Sequence, residues 1–80
     1  MATKRRFGAL RQLMLHGLSS GQKTVNQLSR DVGINWRTVD NHLIFLVGKG
    51  YAAVVFSSPY VKIFQITDAG RAALGRGEEL

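Results

Sequence analysis

This chain of 80 residues contains no cysteine. No disulfide can staple it, and no thiolate can hold a metal ion. It has a single proline, Pro59, so its helices and central strands are free of that breaker. Acidic side chains are scarce, with five Asp and Glu against eleven Lys and Arg, a formal net charge of +6. A basic surface of this kind favours a polyanionic partner. No apolar run approaches the length of a membrane span, and the N-terminus lacks the apolar stretch of a signal peptide. The chain therefore reads as cytoplasmic, with no membrane contact. Paired carboxylates, a nucleophile beside a base and a phosphate-cradling Gly loop are all missing, so the reading is not an enzyme. No second His, Cys or carboxylate stands at metal-ligand spacing from His42. Neither a metal nor another cofactor is expected, and no small-molecule ligand is evident.

What is present suffices for one small folded domain. The hydrophobic fraction of 45% excludes a disordered chain. Eighty residues bury little more than one layer of helices on a hairpin, and unstapled domains of this size often oligomerise.

Residues 24–50 carry the strongest local signals. Thr24 can cap a helix whose apolar face is Val25, Leu28 and Val32. Gly33 ends that periodicity as a left-handed C-terminal residue, and Ile34 follows as a plug between helices. Asn35 can cap a second helix with Val39, Leu43 and Leu46 at helical spacing, stopping at Gly48 or Gly50. Two short helices joined by a tight turn form a helix-turn-helix. Upstream, residues 1–6 read as a basic flexible arm. Phe7, Leu10, Leu13, Met14 and Leu18 give a first helix from about Lys4 to His16, with Leu15 outside the main stripe. His16 would sit favourably at its negative end. Gln22–Thr24 can make a short strand. Residues 51–57 and 61–67 are β-branched and aromatic, joined at Ser58-Pro59-Tyr60, and predict a hairpin. Within it Phe64 and Ile66 share the parity of the core face. Thr67 caps a last helix through Leu74, and residues 76–80 fray. The one domain is thus expected over residues 7–75.

The run TVDNHLIFLVGKGY resembles the recognition helix of winged-helix transcription regulators of the MarR-like and ArsR-like groups. ITDAGRAAL at 66–74 is similar to the start of the helix that follows their wing. The resemblance spans roughly residues 8–74. It implies an α+β, mainly α, winged helix-turn-helix with a three-helix core, a β-hairpin wing and a short C-terminal helix. It also implies a transcriptional regulator that binds specific double-stranded DNA sequences, with residues 36–48 in the major groove.

On that reading the outward N-terminal positions of the second helix of the pair are Trp36, Arg37, Asp40 and Asn41. Arg37 can fork onto guanine O6 and N7, and Asn41 can pair with adenine N6 and N7. Asp40 either accepts from cytosine N4 or pairs with Arg37. Thr38 would meet a phosphate or a thymine methyl. Trp36 either stacks on the DNA edge or packs on helix 1 or 2, with packing favoured. The remaining candidate contacts are Lys4, Arg5 and Arg6 on the arm, Lys23, Thr24, Arg30 and Asn35 around the helix pair, and Ser58, Tyr60 and Lys62 on the wing. The wing departs from the commoner family pattern, because its tip carries no Arg and only Lys62 nearby. His42 reads as structural.

Ile44, Phe45 and Val47, with Val55, Val61 and Ile63, exceed what one small core covers, which points to a homodimer. The alternative function is a winged-helix module for protein–protein contact or architecture, with non-specific affinity for nucleic acid.

Overall fold

The computed structural model describes residues 2–76, with side chains from residue 8 onward. Its elements are α1 (Ala2–Ser19), β1 (Lys23–Thr24), α2 (Val25–Val32), α3 (Trp36–Gly48), β2 (Ala52–Ser57), β3 (Lys62–Ile66) and α4 (Asp68–Arg76). The three strands form one antiparallel sheet in the order β1-β3-β2. This is the winged helix-turn-helix, mainly helical, that the sequence predicts.

Local chemistry sets the boundaries of the helix pair. Thr24 caps α2 through a reciprocal box. Its hydroxyl accepts from Gln27 N at 3.1 Å, and its own N–H donates to Gln27 Oε1 at 2.9 Å. Gly33 ends α2 at φ 70°, where glycine carries no steric penalty, and its N–H donates to Ser29 O at 2.9 Å. Two residues later Asn35 Oδ1 accepts from Arg37 N at 2.8 Å and opens α3. Thr67 does the same for α4, accepting from Gly70 N at 3.0 Å. The Thr67 hydroxyl also donates to Gly50 O at 2.6 Å, which ties the start of α4 to the end of α3.

The core lies where α1, α2 and α3 close over the sheet. Met14, Leu15 and Leu18 of α1 meet Leu28 of α2 and Val39, Leu43 and Leu46 of α3, all almost fully buried. Ala52, Phe64, Ile66 and Ala73 complete it. Phe64 and Ile66 face inward as their parity predicts, while Lys62 lies exposed near the wing tip.

Three expectations need correction. Helix α1 is longer than predicted and takes in positions 2–6, the segment read as an arm. Its buried stripe is also rotated: Leu15 is fully buried and Leu13 is 48% exposed. The reason is that α1 packs at once on α2, α3, β3 and α4, a wider seat than a single stripe needs. The apolar surplus on α3 is smaller than the sequence implies. Ile44 is 65% exposed, but Phe45 and Val47 pack against the core. Finally, β2 carries a bulge. Val54 pairs with Phe64 and Phe56 with Ile63, leaving Val55 as the extra residue. Val54, Val55 and Phe56 consequently all reach solvent, on a strand at the sheet's edge. By contrast Ile63 and Val61 are half-buried, and β1 pairs along Ile63 from the other side. Of the tail expected to fray over 76–80, Arg76 is the last residue of α4, and residues 77–80 lie outside the described residues.

Candidate nucleic-acid interface

Burial of Val39, Leu43 and Leu46 fixes which face of α3 is left outward. Arg37 and Asn41 lie on that face, four residues apart, both exposed. Trp36 precedes them and is 52% exposed, so the packing expected of it is not what the fold provides. It lines a groove shared with the start of α2 and the wing. The Arg37 guanidinium lies 5.6 Å from the centroid of the Trp36 ring, a cation–π distance. Thr38 is half-buried behind them.

Next to this face runs an open groove with three walls. Trp36 and Asp40 form the α3 wall, Thr24, Val25 and Asn26 the entrance of α2, and Ser58 to Lys62 the wing. Five of the predicted contacts therefore meet here: Thr24, Trp36, Ser58, Tyr60 and Lys62. The wing tip is held rigidly. Ser58 N donates to Val61 O at 2.8 Å, and the Ser58 hydroxyl accepts from Tyr60 N at 3.2 Å and Val61 N at 3.1 Å. This turn presents Tyr60 at 95% exposure. The positive end of α2 also opens on the groove, which suits an anion.

Other predicted contacts are not gathered there. Lys23 is ion-paired with Asp31 and lines a separate hollow with Leu13, His16 and Val32. Arg30 is exposed near the end of α2, away from the groove. Thr24 and Asn35 spend their side-chain oxygens on helix caps. The side chains of Lys4, Arg5 and Arg6 lie outside the described residues. The sequence reading missed Val25, Asn26, Pro59 and Val61 as lining residues.

Behind α3 sits a buried polar pair. His42 is 7% exposed, and Arg11 Nε donates to its Nδ1 at 3.1 Å. Burial, then the neighbouring Arg11 charge, hold its pKa below the ordinary 6.5. The Arg11 guanidinium also lies 3.6 Å from the Phe45 ring centroid, with Lys49 at 5.8 Å. This cluster joins α3 to α1. His42 is structural, as its sequence context suggests. Among the described residues no group of His, Cys, Asp and Glu has the arrangement of a metal site, and no helix is long and apolar enough to cross a membrane.

The comparisons with known proteins agree with this architecture. No curated protein matches the chain. The crystal structure of the adhesin competence repressor AdcR from Streptococcus pyogenes is similar, with a TM-score of 0.75 at 19% identity. The match covers 84% of this chain and 52% of that one, so the chain spans about half the length of its structural relative. At that identity the likeness is one of fold. The sequence profile of the bacterial regulatory proteins of the arsR family matches residues 10–54, more than half of the chain. With its helix-turn-helix, wing and groove in place, the chain belongs to the arsR family of bacterial regulatory proteins.

Proposed function

We propose that this regulator binds specific double-stranded DNA sequences as a homodimer, with α3 in the major groove and the wing along the flanking backbone. The observation that carries the reading is the outward face of α3. Trp36, Arg37 and Asn41 are exposed at the N-terminal half of a helix whose opposite face is locked in the core. That is the part of a recognition helix that meets base edges. Arg37 offers the guanine fork and Asn41 the adenine pair, within one turn of each other. The groove beside them takes the sugar-phosphate strand. Lys62 supplies charge, Ser58 and Tyr60 supply hydroxyls, and the start of α2 adds its positive end. Because the wing tip has no Arg, it follows the backbone rather than reading the minor groove.

Binding titrations on random and genomic duplexes across a salt series test this. Cations that neutralise phosphates release condensed counterions, so affinity should fall steeply with salt. A selected motif should hold on after random DNA has dissociated. Affinity that stays flat between low and physiological salt, or equal affinity for every sequence, would overturn the reading.

A further inference from the structure

Asp40 is an anomaly in a groove built for DNA. It sits on α3 one turn after Arg37 and directly before Asn41, and it is half-buried on the groove wall beside Trp36. A carboxylate there repels phosphate. An internal cation would remove the difficulty; Lys62 lines the same groove, but among the described residues it forms no ion pair with Asp40. The ion pair of Lys23 with Asp31 lies on another face. Arg37, the nearest candidate along the helix, turns its guanidinium to the Trp36 ring instead. Among the described residues Asp40 has no hydrogen-bond or ion-pair partner. Its acceptors are left for a partner.

An ionised carboxylate only accepts. In the major groove guanine presents N7 and O6 and thymine presents O4, all acceptors, which it repels. Adenine presents an N6 donor, but with the N7 acceptor beside it. Cytosine presents the N4 amino group with no neighbouring acceptor. We infer that Asp40 is a specificity residue that requires cytosine at one position of each half-site, beside the guanine taken by Arg37. The two side chains, three residues apart on one helix face, make complementary demands, one for acceptors and one for a donor. The carboxylate also lowers affinity for DNA in general, so it gains selectivity at both ends. This inference rests on the proposed placement of α3 in the major groove.

Binding-site selection with the parent, Asp40→Ala and Asp40→Asn tests it. The parent should select a motif with an invariant C·G pair, and replacing that pair should weaken binding roughly tenfold. Asp40→Ala should lose the preference at that pair alone. Asp40→Asn should move it toward adenine, because an amide can donate to N7 while accepting from N6. Both variants should bind random DNA more tightly than the parent, which also shows that they are folded. If both variants select the parental motif, or the parental motif contains no such cytosine, Asp40 does not read a base and the inference falls. If the parent binds without any motif, the proposed function falls with it. A parental motif that survives in the variants removes Asp40 only.

Discussion

Arg11 has no acceptor to offer, so the 3.1 Å bond between its Nε and His42 Nδ1 requires that nitrogen to be unprotonated. Neutral His42 therefore carries its proton on Nε2. The folded pKa lies below 6.5, through burial first and Arg11 second. Between the two values the unfolded chain binds more protons than the folded one. Stability contributed by this pair is complete above about pH 6.5 and declines as pH falls below it toward the folded value. Thermal melts from about pH 8 down to about pH 5 should show a falling midpoint, and His42→Gln should flatten much of that slope. An unchanged slope in the variant would assign the pH dependence elsewhere. The Arg37 side chain is exposed, with its guanidinium beside the adjacent Trp36 ring, and the cap bond from Asn35 is to its backbone N–H. Arg37→Ala should leave the melting temperature alone. It should cost roughly 1–3 kcal/mol of discrimination at one base pair, read by competition between single-pair variants of the selected site.

The capped helix pair was legible in the sequence because its signals are local. Thr24, Gly33 and Asn35 act within four residues of themselves, and each does what its chemistry predicts. The hairpin was legible for the same reason, through alternation at Phe64 and Ile66. What the chain did not disclose depends on neighbours distant in sequence. Leu15 is buried because four elements close on α1, and Phe45 is covered because Arg11 reaches across from it. The bulge at Val55 follows from register with β3, which no alternation pattern within β2 records. Trp36 is 52% exposed at the groove wall, which its hydrophobicity does not record. Gly70 belongs to the same class of long-range constraint. A Cβ there would lie 2.1 Å from the backbone oxygen of Tyr51, so only glycine lets α4 sit against the start of β2. Gly70→Ala should destabilise the domain by about 1–3 kcal/mol through overpacking. Gly75→Ala, later in the same helix with nothing within 4 Å, should be neutral or slightly stabilising. Equal melting temperatures for the two variants would mean that α4 does not pack on Tyr51.

At the scale of the whole molecule, a charge of +6 and an uncovered apolar edge make different demands. Like charges oppose self-association, whereas Val54, Val55 and Phe56 on the edge strand β2, with Ile44 on α3 and Leu13 on α1, favour burial. These residues are not on one element; Ile44 shares the face of α3 that carries Arg37 and Asn41, but β2 and α1 are separate elements, so a second copy seated on either need not block DNA. Apolar burial at about 25 cal/mol per Å² scales with area, while surface repulsion is screened within about 8 Å at physiological salt. Association should therefore strengthen as salt rises, opposite to the salt dependence of DNA binding. A two-fold dimer would place two copies of α3 about one duplex turn, ~34 Å, apart and match a pseudo-palindromic site. Light scattering at micromolar protein is expected to give twice the mass of the 8.8 kDa chain. Val55→Lys and Phe56→Lys should reduce it toward the monomer if β2 forms the contact, and Leu13→Lys should do so if α1 does. A monomeric mass both free and on DNA, at low and high salt, would sink the dimer and leave the apolar edge to a different protein.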